Sequence, residues 1–119
     1  MTGESYNEVD GFGITETIRT IVFTLRKALD DLPDLGKDMC DAENRYEIAK
    51  AKKVFEFKEK GISVTLIKEV CNGSEGVHGE LYRKNLAKVL YDSQKAKIKG
   101  LEQELSAMQT LYKTEIKGY

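Results

Sequence analysis

Tryptophan is absent from this 119-residue chain, proline and histidine occur once each, cysteine twice, and aromatic residues make up only 8%. So little proline and so few aromatics, beside 33% charged residues, exclude a sandwich of short strands and favour helices with solvated faces. The two cysteines, Cys40 and Cys71, have no CxxC spacing and no neighbouring histidine, which excludes a zinc site and a disulfide framework. The lone His78 lies in a glycine-rich stretch with no nucleophile or carboxylate set beside it by a recognisable motif, so no catalytic residue is expected and the chain reads as a non-enzyme. Gly73, Gly76 and Gly79 follow no strand and precede no GK[ST], which excludes a phosphate loop, and no cofactor is expected. No run approaches the roughly 20 apolar residues that span a bilayer, and the start, MTGESYNEVD, is acidic where a signal peptide would be basic and then apolar. The expected location is the cytoplasm, with no membrane partner.

What is present is charge, unevenly placed. The net charge of −1 conceals ten acids against four bases in residues 1–44 and fifteen bases against ten acids in residues 45–119, a split of about −6 and +5. Such a split points first to neutralisation within the fold or across an oligomer, and second to contact with nucleic acid.

Residues 1–13 carry three glycines and little apolar surface, and read as a flexible arm before a single domain over 14–119. From Ile14 the apolar positions Ile18, Ile21, Val22, Leu25, Ala28, Leu29 and Leu32 follow one helical face, predicting a helix over 14–32 that Pro33 ends. Its many threonines and β-branched residues favour strand, but the helical period is sustained over five turns. A second helix is expected over 36–60, with Asp34 or Asp38 as its cap and Gly61 as its stop. Residues 62–71 read as a short helix capped by Ser63 or, on their β-branched run, as a strand; residues 72–79 read as a loop.

The last segment is the most legible. Ala87, Tyr91, Gln94, Ile98, Leu101, Leu105, Met108 and Tyr112 alternate steps of four and three, a heptad seam on a helix over 80–117. The fold class expected is therefore all-α, a long antiparallel helical hairpin with coiled-coil-like packing and an additional N-terminal helix. The second helix is too short to cover the whole seam, so the first helix or another subunit must cover the rest; Tyr91, Gln94, Ile98, Leu101, Leu105, Met108 and Tyr112 are the expected interface with a second copy or another protein. Gly100, in mid-helix, marks an expected close contact or bend.

Two charge clusters complete the candidates. Lys50, Lys52, Lys53, Lys58 and Lys60 near the end of the second helix, with Arg83, Lys84 and Lys88 near the start of the last, would be neighbours in a hairpin and could hold single-stranded nucleic acid, with Tyr82 and Tyr91 for stacking. Glu47, Glu56, Glu59 and Glu80 interrupt that patch. The acids Asp30, Asp31, Asp34, Asp38 and Asp41 are read as capping and complementing a helix start, not as metal ligands.

The stretches AENRYEIAKAKKVFEFKEKG (residues 42–61) and LYDSQKAKIKGLEQELSAMQTLYK (residues 90–113) resemble small helical proteins from the early or recombination regions of phages and prophages of Gram-positive bacteria. The resemblance transfers no functional residue. It implies work through a partner in the bacterial cytoplasm: a self-associating interaction module that inhibits or modulates a host or phage protein, or alternatively an accessory single-stranded DNA-binding protein in replication or recombination.

Overall fold

The computed structural model describes residues 11–117, which hold helices and no strand. Helix α1 runs Gly11–Glu59, α2 Val64–Val70 and α3 Val77–Tyr112; a 3-10 turn, Cys71–Gly73, precedes α3 and a π-helical stretch, Lys113–Lys117, follows it. The fold class is the helical hairpin expected, with α1 and α3 as its arms. Most of the arm expected at 1–13 lies outside the described residues; residues 11–13 already belong to α1. Among the described residues no helix is long and apolar enough to cross a membrane.

The first two expected helices are one. Pro33 lies inside α1 and does not end it. A proline in a helix interior removes one N–H and leaves the carbonyl four residues earlier, here that of Leu29, without its donor. Pro33 and Leu29 are both exposed, so water can serve that carbonyl. The apolar spacing also passes through the proline without a change of phase: Ala28, Leu32, Leu35, Met39, Ala42 and Tyr46 are all less exposed than their neighbours on the outer face. The threonines that argue for strand are accommodated by back-bonding, since the hydroxyls of Thr17, Thr20 and Thr24 donate to the carbonyls of Gly13, Glu16 and Thr20 at 3.0–3.1 Å.

The chain divides into two compact units. In one, the segment of α1 up to Leu32 packs with the chain from Gln94 onward. Ile14, Ile21 and Ala28 are buried from α1, and Ile98 from α3. Gln94, the polar member of the seam, donates from Nε2 to the Ala28 carbonyl at 3.0 Å, which fixes the register of the two segments. The far end of the seam is thus met by the chain's own α1.

The other unit, Pro33–Ser93, holds a core drawn from three helices and the 3-10 turn. Tyr46 of α1, Ile67 of α2, Cys71 of the 3-10 turn and Val77 of α3 are buried together, with Phe57, Ile62 and Leu81 packed around them. Burying a side chain such as Ile67 or Val77 contributes about 1.5–3 kcal/mol, which explains how a seven-residue helix persists. Its ends are well made. Gly61 takes φ +79°, its N–H donates to the Lys58 carbonyl at 3.0 Å, and the Ile62 N–H donates to the Phe57 carbonyl at 3.1 Å, closing α1 in a Schellman motif. The Ser63 hydroxyl then accepts from the Leu66 N–H at 3.3 Å and caps α2, so residues 64–70 are helix rather than strand. The expected loop over 72–79 is shorter than its glycines suggest. Ser74 folds back on Cys71, its hydroxyl donating to the Cys71 carbonyl at 2.6 Å, and α3 begins at Val77 because that side chain is a core residue.

Close approach of the helices falls at Gly36 and not at Gly100. A Cβ on Gly36 would stand 3.3 Å from the Tyr91 ring, whereas one on Gly100 would meet nothing within 4 Å.

Candidate functional site

The eight cations expected to form a nucleic-acid patch all lie in the 33–93 unit, but most are engaged. Lys53 and Lys60 both approach Glu56 Oε1 at 3.5 Å, and Lys88 meets Asp92 at 2.8 Å. That last hydrogen bond, with the charge of Asp92 behind it, raises the Lys88 ammonium above its ordinary 10.5. Arg83 lies 3.5 Å from Glu80, whose carboxylate also stands 3.8 Å from Arg45. Lys84 and Lys50 flank the ring of Tyr46, their ammonium groups 4.6 and 5.4 Å from its centroid. They support the packing of a buried tyrosine whose hydroxyl donates to Asn72 Oδ1 at 2.7 Å. Of the eight, Lys50, Lys52, Lys58 and Lys84 have no ion pair among the described residues.

The residues read as an oligomer seam meet α1 within the chain. Tyr91 packs on Gly36, Gln94 bonds the Ala28 carbonyl, and Leu101 borders a groove with Thr17, Ile21 and Thr24. Of the seven, only Ile98 is buried; Tyr91, Gln94, Leu101, Leu105, Met108 and Tyr112 are half-buried. The sequence leaves this end of the seam to the first helix or to a second chain and favours the second chain; in the structure the segment of α1 up to Leu32 packs with the chain from Gln94 onward.

The acidic series loses its expected role, since no helix starts there. Instead these acids line the middle of α1, where Lys27 pairs with Asp31 at 4.0 Å and Lys37 with Asp41 at 2.8 Å. The Lys37 hydrogen bond, then its charge, holds the Asp41 carboxyl below the ordinary 3.8. Among the described residues no group of three or more His, Cys, Asp or Glu is placed to hold a metal ion.

Two further concave surfaces lie among the described residues of the 33–93 unit. One is a groove floored by Leu35, Ala42 and Ala87, with Asp38, Asp41 and Arg45 on its α1 side and Arg83, Leu86 and Leu90 on its α3 side. Beside it α3 exposes Tyr82 (65%), Leu86 (44%), Val89 (58%) and Leu90 (49%). These stand at i, i+4, i+7 and i+8, one face of a helix. The other is a cavity of about 340 Å³ where α2 folds against α1, with Lys50, Lys58 and Lys68 at its rim and Val54, Ile67 and the buried Cys71 beneath them. Neither surface was picked out from the sequence. The spacing 82, 86, 89, 90 was a readable signal; Lys68 was not, because only the folding of α2 brings it to Lys50 and Lys58.

Compared with protein-family models, with curated proteins and with solved structures, the chain gives no match.

Proposed function

We propose that the chain is a non-enzymatic protein-interaction module that self-associates through the helical face formed by Tyr82, Leu86, Val89 and Leu90 with the adjoining groove. The observation that carries this reading is the exposure of four large apolar side chains in one stripe beside a concave apolar floor. Exposed apolar surface of this kind, rimmed by charge, is the mark of an interaction site. The rim of the groove carries both signs, with Asp38, Asp41 and Arg45 on its α1 side and Arg83 on its α3 side.

In keeping with the resemblance to small phage and prophage hairpins, the module acts in the cytoplasm of a bacterial host by binding and modulating a host or phage protein. Accessory binding of single-stranded DNA is the weaker reading, because Lys53, Lys60, Arg83 and Lys88 already have carboxylate partners.

Light scattering coupled to size exclusion tests the proposal. The expected mass is twice 13.4 kDa, returning to 13.4 kDa in L86D/L90D with helicity retained, since both side chains are exposed in the single chain. A wild-type mass of 13.4 kDa at about 100 μM, a concentration that would populate a dimer worth roughly 6 kcal/mol, would sink self-association. An oligonucleotide complex that weakens steeply with salt would favour the alternative.

A further inference from the structure

Lys50 and Lys58 of α1 and Lys68 of α2 converge on the 340 Å³ cavity, and no carboxylate lines it. None of the three is in an ion pair among the described residues, unlike Lys53 and Lys60 on the same helix. Beneath the lysines the wall is mainly apolar, formed by Val54, Val64 and Ile67, with the Cys71 thiol turned to the Lys50 carbonyl at 4.0 Å and Asn72, whose Oδ1 accepts from the Tyr46 hydroxyl, as its one amide side chain. Two features of chemistry are thus joined in one site: an apolar wall that gains by excluding water, and a positive rim without a counter-charge.

We propose that this cavity binds an amphiphilic carboxylate, its hydrocarbon chain against Val54 and Ile67 and its anionic head among Lys50, Lys58 and Lys68. Size sets the chain length. The volume of 340 Å³ is about eleven times the roughly 30 Å³ share of one molecule in liquid water, room for about ten non-hydrogen atoms, as in octanoate. A bare phosphate would satisfy the rim and leave the wall wet. A neutral alkane would cover the wall and leave three cations crowded. Lys50 is the fixed member, half-buried over the Tyr46 ring, while Lys58 and Lys68 are exposed and free to adjust to the head group.

The test uses the full chain and octanoate as probe. Titration followed by amide chemical shifts should show saturable binding with Kd below about 1 mM, and K58E/K68E should weaken it at least about tenfold, one decade for each 1.4 kcal/mol. Both lysines are exposed, so the variant should keep the wild-type circular dichroism spectrum. Octanol and octylammonium should bind far more weakly. A second readout lies in the cavity itself: octanoate should slow labelling of the buried Cys71 by a neutral thiol reagent and leave the exposed Cys40 unaffected. The proposal is overturned by absence of saturation up to about 10 mM octanoate, near −2.7 kcal/mol, by octanol binding as well as octanoate, or by unchanged affinity in K58E/K68E. It is equally overturned if binding leaves Cys71 labelling unchanged, or if anionic-lipid vesicles bind where free octanoate does not.

Discussion

Replacing Pro33 with alanine should stabilise the chain by about 2–3 kcal/mol, close to the full difference between the two residues in a helix interior. The structure supplies the reasons. Pro33 lies well inside α1, 22 residues after Gly11 and 26 before Glu59, so no helix end relieves it of the missing N–H. Its side chain is exposed, so alanine removes no packing, and the Leu29 carbonyl regains a backbone donor. With a urea m-value of about 1.5 kcal/mol/M, the midpoint should rise by roughly 1.3–2 M. Far-UV circular dichroism at 222 nm should barely change, because α1 is already continuous in the wild type. A P33A variant with a clear gain in helicity would mean that the wild-type helix is broken at Pro33; an unchanged midpoint would mean that the proline costs nothing there. Either result refutes the argument for one 49-residue helix.

The two mid-helix glycines should part company on substitution. Gly100→Ala, with open space around the new methyl, should gain about 0.5–1 kcal/mol in urea unfolding, whereas Gly36→Ala should lose most or all of that gain against the Tyr91 ring 3.3 Å away; equal gains at both sites would remove Gly36 as the point of close approach. Carboxyl titration by NMR should find Asp41 below the ordinary 3.8, because Lys37 donates to it. Since the folded value is the lower one, this pair favours the fold above the ordinary value, and the contribution is lost as pH falls through the depressed one. Lys37→Ala should return Asp41 to its ordinary range, and an unmoved titration would show that another group sets it.

The seam of α3 was legible in the sequence because burial and heptad period are the same fact seen twice. The positions that step by four and three from Ala87 to Tyr112 are the less exposed ones along that helix. Gly61 and Ser63 were legible because a positive φ and a free helix N-terminus each demand a particular residue type. Pro33 misled because a local rule was given precedence over a longer pattern. Ile14, Ile18, Ile21, Leu25, Ala28, Leu32, Leu35, Met39, Ala42, Tyr46 and Ala49 keep one seam in phase on both sides of it. A real break would have allowed that phase to slip. The reading of the acids as helix caps depended on that break. The start of α3 at Val77 was missed because His78 and Gly79 look like loop until Val77 is known to be buried. The cavity could not be read at all, since Lys68 reaches Lys50 and Lys58 only through the turn of Gly61 and Ile62.

The two units differ in how completely each closes its own core, and this bears on why a hairpin of this kind should seek a partner. In the 33–93 unit three elements surround Tyr46, and the short α2 supplies what a pair of helices lacks, a second layer. In the other unit the buried side chains are Ile14, Ile21, Ala28 and Ile98, with two helical segments to enclose them. Leu25, Leu101, Leu105, Met108 and Tyr112 stay half-buried, as two cylinders in contact require, because each helix shields only the side of the seam turned toward it. Covering the rest takes another helix. Even in the better-closed unit, α2 caps only the connection end, leaving Tyr82, Leu86, Val89 and Leu90 on an open face. The self-association proposed above would use that face, and L86D/L90D is the substitution that removes it.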